Sequence, residues 1–109
     1  MSAPVVRVSI LRCRAEDFAM FKEMMDAAAT VLLPGITAMP GCLAYFAGAD
    51  EITSSLSNVS VWRSLDDARQ MDRFQPMLDL ARQFVEKGVT FERPIMNYGI
   101  LWQLGTAVR

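Results

Sequence analysis

The sequence predicts an α+β domain of the ferredoxin-like kind, in the order β-α-β-β-α-β, with an antiparallel four-stranded sheet and both helices on one face. Three observations lead there. Runs of β-branched residues with a period of two occupy residues 5–11 and 56–63. Two longer stretches between strand runs repeat apolar residues at spacings of three and four. The 109 residues, 52% apolar and 21% charged, suit one core and a single domain over 1–109.

The first strand is Val5-Val6-Arg7-Val8-Ser9-Ile10-Leu11, whose alternation puts Val6, Val8 and Ile10 on one face. Glu16-Asp17 then stands where a helix N-terminus favours negative charge. Phe18, Phe21, Met25, Ala28 and Leu32 give that helix one apolar face, which Pro34-Gly35 is expected to break or kink. Met39-Pro40-Gly41 marks a turn. The second strand covers residues 42–49, with Leu43, Tyr45 and Phe46, and a polar loop over 50–55 joins it as a hairpin to the third strand.

Ser64 with Asp67 three residues on is a capping-box pattern with Asp in place of Glu, and it opens the second helix. Leu65, Ala68, Met71 and Phe74 line one side of it; Pro76 starts a second helical stretch, and Met77, Leu80, Ala81 and Phe84 continue the stripe to a stop at Gly88. Met96, Tyr98, Ile100, Trp102 and Leu104 alternate with Asn97, Gly99, Leu101 and Gln103 as strand four, either face of which could be the inner one.

Composition narrows the chemistry. Eleven basic against twelve acidic residues leave a net charge of −1, too little positive charge to attract a nucleic-acid backbone or an anionic membrane. No apolar run approaches a membrane span, and Met1-Ser2-Ala3-Pro4 lacks a signal pattern, so a cytoplasmic location is expected. Cys13 and Cys42 are expected to be reduced thiols. The chain has no histidine, which removes the commonest general base and the commonest zinc ligand. No acid or cysteine cluster has metal-ligand spacing, and no glycine-rich loop cradles phosphate. Neither metal nor cofactor is expected. The eight methionines suit core filling.

One sheet face should pack on the helices, and Val6, Val8, Ile10, Val59 and Val61 are its natural members. The opposite face then carries Val5, Arg7, Ser9 and Leu11 beside Leu56, Asn58, Ser60 and Trp62, a mixture unlike either a dry core or a charged surface. It is expected to be bare and to pair with the same face of a second copy, forming a homodimer with a partly polar cavity at its centre.

With Met39-Pro40-Gly41-Cys42 before the second strand and Asn58-Val59-Ser60-Val61-Trp62-Arg63-Ser64 leading into the second helix, the chain resembles the antibiotic biosynthesis monooxygenase group of the dimeric α/β barrel superfamily over residues 5–104. The resemblance implies a dimeric α/β barrel and a cofactor-independent monooxygenase acting on a small aromatic or quinol-like substrate. Members of the group that oxidise anthrones to quinones carry an Asn and a Trp four residues apart on the third strand, a spacing that Asn58 and Trp62 match. The family's helix-two Arg falls near Arg82, and Ala68 stands where the family has a Tyr. By that resemblance Asn58, Trp62 and Arg82 are the catalytic candidates: the Asn58 amide donates to a substrate oxygen, Trp62 stacks on a ring, and Arg82 or Arg7 supplies positive charge. Arg7, Ser9 and Ser60 are the candidate substrate-binding residues. Met71 and Ala81 occupy the positions of the heme-degrading branch's His and Trp, which disfavours heme chemistry. Two other readings stand beside this one: a non-catalytic small-ligand-binding or structural dimer, and an isomerase or lyase with Glu92 or Asp50 as base.

Overall fold

Strand pairing organises the molecule. In the computed structural model, which describes residues 3–105, β1 (Val5–Arg12) lies at the centre of an antiparallel sheet. On one side it pairs with β3 (Ser55–Trp62), which pairs in turn with the edge strand β2 (Cys42–Asp50). Its other side takes two short strands, β4 (Thr90–Phe91) against Leu11 and Arg12, and β5 (Met96–Gly99) against residues 5–8. With α1 (Phe18–Thr37), α2 (Leu65–Ala68) and α3 (Gln75–Glu86) packed on the sheet, this is the ferredoxin-like α+β arrangement the sequence predicts. Met1-Ser2, part of the segment read for a signal pattern, and the last four residues of the 1–109 span lie outside the described residues.

Local chemistry accounts for the helix ends. The Ser64 hydroxyl accepts the backbone N–H of Asp67 at 3.1 Å, capping α2 as the Ser-x-x-Asp pattern requires. A five-residue 3₁₀ segment (Arg69–Arg73) follows before Pro76 enters the first turn of α3. That helix stops in a Schellman arrangement. Gly88, at φ +107°, donates to the Val85 carbonyl at 3.1 Å, and Val89 donates to that of Phe84 at 3.0 Å.

Two expectations are corrected. Pro34 does not break α1, which runs on to Thr37. The last turns of this helix pack Leu32 and Ile36 into a buried cluster, and Phe74 lies so close to Gly35 that a Cβ there would come within 2.6 Å of its ring. Tertiary contact therefore holds the turn that the proline weakens. Strand four is not continuous to Leu104 either. Within the expected run only Met96–Gly99 pairs with β1, the short β4 lies ahead of it, and beyond Gly99 the side chains of Leu101, Trp102 and Leu104 stand almost fully exposed.

The larger correction concerns the two faces of the sheet. Val5 and Trp62 join Leu32, Ile36, Ala68 and Met71 in one buried cluster. Leu11 and Leu56 join Phe18, Phe21, Met25 and Phe84 in a second. The face carrying Val5, Arg7, Ser9 and Leu11 with Leu56, Asn58, Ser60 and Trp62 is therefore the one the helices cover. The face expected to pack on them, with Val6, Val8, Ile10, Val59 and Val61, is the uncovered one. Cross-strand pairing adds Phe46, Met96 and Tyr98 to it, all exposed in the single chain. Among the described residues no helix is long and apolar enough to cross a membrane.

Candidate functional site

The register of β1 on β3 builds the site. On the helix-covered face the directly opposed pairs run Val5–Trp62, Arg7–Ser60, Ser9–Asn58 and Leu11–Leu56. The apolar pairs at either end anchor the two core clusters, and the two polar pairs between them form a floor that the helices roof without filling. A cavity of about 250 Å³ remains. Arg7, Ser9, Asn58 and Ser60 line it from the sheet, joined by Tyr45 from β2, which sits opposite Ser60. The roof is apolar: Met25 of α1, Met71 of the 3₁₀ segment, and Met77, Leu80, Ala81 and Phe84 along the inward stripe of α3. Methionine is well suited to such a wall, because an unbranched, polarizable chain adapts to ligand shape. Phe91, Arg93 and Ile95, from β4 and the segment linking it to β5, complete the lining with Asp72 of the 3₁₀ segment and Leu78 of α3.

Arg7, Asn58 and Ser60 of the floor are each held by a hydrogen bond. Arg7 is only 6% exposed and donates from one terminal nitrogen to Asp72 Oδ1 at 2.6 Å. Asp72 lies on the 3₁₀ segment with its side chain 54% exposed, so the pair joins the cavity to the surface. A guanidinium carries five N–H donors, and Asp72 is the only acceptor that the described residues offer to this one. The Tyr45 hydroxyl donates to Asn58 Oδ1 at 3.2 Å, which leaves the amide N–H donors of Asn58 for the cavity. Burial pushes the Tyr45 phenol up to about 12, with the charge of Arg7 acting against the rise and Cys42 adding to it. It is therefore a neutral donor at any ordinary pH. Trp62 Nε1 donates to Ser60 Oγ at 2.8 Å, so the Ser60 hydroxyl hydrogen is not used toward Trp62. Asn97 of β5 sits opposite Arg7 and extends the polar row; its buried Oδ1 has no partner among the described residues.

The six candidate residues divide. Arg7, Ser9, Asn58 and Ser60 come together around one cavity. Trp62 does not reach it: at 0% exposure its ring is sealed in the core cluster with Leu32 and Ala68, where it cannot stack on a ligand, and its connection to the site is the hydrogen bond to Ser60. Arg82 is exposed and bonded to Asp79 at 2.7 Å, because it lies one residue past the inward stripe of α3. The candidate bases for an isomerase or lyase are also elsewhere. Glu92 pairs with Arg12 at 2.8 Å, and the exposed Asp50 accepts from Thr53, which holds its carboxyl below the usual range. Cys13 and Cys42 belong to different clusters, Cys13 packing against one and Cys42 buried in the other. No group of His, Cys, Asp or Glu among the described residues could hold a metal ion.

Sequence reasoning misses Tyr45, Asp72 and Arg93 as site residues. Tyr45 is detectable in principle, since residues opposed across a hairpin share a face and Ser60 is a candidate. Asp72 and Arg93 carry no such signal, for one lies on a 3₁₀ segment and the other on a link between short strands.

A covered α+β sheet with a polar-floored, apolar-roofed cavity defines a fold with room for a small ligand. No family model and no curated protein matches the sequence. Solved structures do match the fold over nearly the whole chain. A candidate antibiotic biosynthesis monooxygenase from Nitrosomonas europaea superposes with a TM-score of 0.68 at 15% identity, covering 96% of this chain and 97% of that one. SnoaB, a cofactor-independent oxygenase from Streptomyces nogalater, superposes with a TM-score of 0.60 at 16% identity, covering 96% and 100%. A candidate monooxygenase from Shewanella loihica reaches 24% identity with a TM-score of 0.56, covering 94% and 99%. The fold is thus that of the antibiotic biosynthesis monooxygenase structures.

Proposed function

We propose that this chain is a cofactor-independent monooxygenase that oxidises a small aromatic or quinol-like substrate in the cavity between its own sheet and helices. The observation that carries the proposal is the floor of Arg7, Ser9, Asn58 and Ser60 facing a roof of methionine and aromatic side chains. A flat substrate held there places its rings against the roof and its oxygens on the donors. The volume of about 250 Å³ is just below the roughly 300–1,000 Å³ of pockets for drug-sized ligands, which favours a compact ring system.

The reaction balances with O₂ alone. A ring CH₂ between phenolic rings gives up two hydrogens and becomes C=O with one oxygen atom; the other oxygen leaves as water. Loss of a proton from the substrate makes an electron-rich anion that reduces O₂ directly, so the protein's task is to stabilise that anion and exclude water. In this reading the Asn58 N–H, the Ser9 hydroxyl and the remaining Arg7 donors serve the first, and the apolar roof serves the second; their shared position in the cavity lining supports it. The likeness to SnoaB, described as a cofactor-independent oxygenase, supports the same reading.

The active form in this proposal is a homodimer. The uncovered face presents Val6, Val8, Ile10, Val59 and Phe46, the last 61% exposed, and a second copy of the same face buries them. The cavity then belongs to each protomer rather than to the dimer centre.

Oxygen uptake with a panel of anthrones and hydroquinones tests the activity. Turnover by the wild type, with kcat/KM lowered about 10²-fold by Asn58→Ala, is expected for the loss of one donor to a developing anion. Absence of oxygen uptake across the panel, or uptake indifferent to Asn58→Ala, overturns it and leaves a ligand-binding dimer, for which ligands raise the melting temperature without product.

A further inference from the structure

The charges around the cavity do not balance. Three charged side chains line it: Arg7 at the floor, Asp72 beside it, and Arg93 at the rim. Asp72 is committed to Arg7 at 2.6 Å. Arg93 has no carboxylate partner among the described residues. It donates to the backbone carbonyl of Glu92 at 3.2 Å, and its guanidinium carbon lies 4.8 Å from the centroid of the Phe91 ring, which also lines the cavity. The stacking holds a planar cation beside a ring of the lining and leaves N–H donors to spare. Among the described residues the lining thus carries one positive charge in excess, on Arg93.

Building on the oxygenase reading, we infer that the substrate is an aromatic monoanion: a hydroxyaryl carboxylate whose carboxylate meets Arg93 at the rim while its phenolic oxygen reaches Arg7, Ser9 and Asn58 at the floor. The lining combines polar floor residues, an apolar roof and the cation of Arg93, the three kinds of group such a molecule needs. A neutral phenol of the same size fills the floor but leaves the rim cation unmatched. Arg93 is then a specificity-determining residue, acting on binding rather than on the oxidation itself.

The test is a binding measurement by calorimetry, using 6-hydroxy-2-naphthoate, 2-naphthol and 2-naphthoate as probes, on the wild type and Arg93→Gln. Wild type should prefer 6-hydroxy-2-naphthoate to 2-naphthol by about threefold to fivefold, the scale of a partly exposed ion pair, and added salt should erode the preference. Arg93→Gln should abolish the preference by weakening 6-hydroxy-2-naphthoate more than 2-naphthol. Equal affinities in the wild type, a preference that survives Arg93→Gln, or no binding by any of the three probes overturns the inference. Because oxygen uptake is measured separately, the two readings fail separately. A chain that prefers the hydroxy acid yet consumes no oxygen refutes the oxygenase, whereas one that oxidises neutral anthrones without favouring the anion refutes this assignment.

Discussion

Removing the Tyr45 hydroxyl should make the stability of the protein cross that of the wild type as pH rises. In Tyr45→Phe the Asn58 carbonyl oxygen loses its donor at 3.2 Å, a loss of about 1 kcal/mol for a buried neutral hydrogen bond. Below about pH 9 the variant should therefore be less stable, its urea midpoint lower by about 0.5 M at a slope of roughly 2 kcal/mol per molar. At higher pH the same hydroxyl becomes a liability. The folded phenol is held up to about 12 against about 10 in the unfolded chain, so between those values the folded state keeps a proton that the unfolded state has lost. With the native state binding more protons, stability falls as pH rises, by about 1.4 kcal/mol per unit and about 2–3 kcal/mol across the window. Tyr45→Phe escapes this loss, and the two curves should meet near pH 11, with the variant the more stable above it. Urea melts of both chains at neutral pH and at several values above about pH 9 measure the difference, since other titrations are common to the two. A difference that stays constant with pH would refute the reasoning, for it would mean that the phenol ionises alike in both states and is not the buried donor to Asn58.

Two further predictions concern packing and assembly. Gly35→Ala should be better tolerated after Phe74→Leu than in the wild type, with a coupling of at least about 1 kcal/mol in a double-mutant cycle, because a Cβ at Gly35 would stand 2.6 Å from the Phe74 ring; additive effects in urea melts would show that the ring yields freely. Val8→Asp should convert the proposed dimer to a monomer in sedimentation velocity while largely preserving the monomer's circular dichroism, since Val8 sits on the uncovered face away from both core clusters. An unchanged sedimentation coefficient would argue against pairing through that face.

Much of the fold is legible in the amino-acid sequence. Period-two runs, spaced apolar residues and the punctuation at Ser64, Pro76 and Gly88 predict every major element and its order, because those signals are local and each acts through backbone geometry within a few residues. The rows Val5-Arg7-Ser9-Leu11 and Leu56-Asn58-Ser60-Trp62 likewise stand out as one unusual face, and four of its residues line the cavity. The Pro34 and strand-four expectations fail where a nonlocal contact or its absence overrules local propensity.

What the sequence by itself determined, then, was the set of elements and which side chains share a face of the sheet. Which face the helices would cover was decided only in three dimensions. Alternation assigns neighbours to opposite sides but is silent on which side is inside when both carry apolar residues. Val6, Val8, Ile10, Val59 and Val61 form the more uniformly apolar face, yet the helices close over the other, where Trp62 and Leu56 fill the two ends and Arg7, Ser9, Asn58 and Ser60 keep the middle open. The same closure brings Asp72 to Arg7 across 65 residues of chain and sets Arg93 at the rim, distances along the sequence that no local pattern spans.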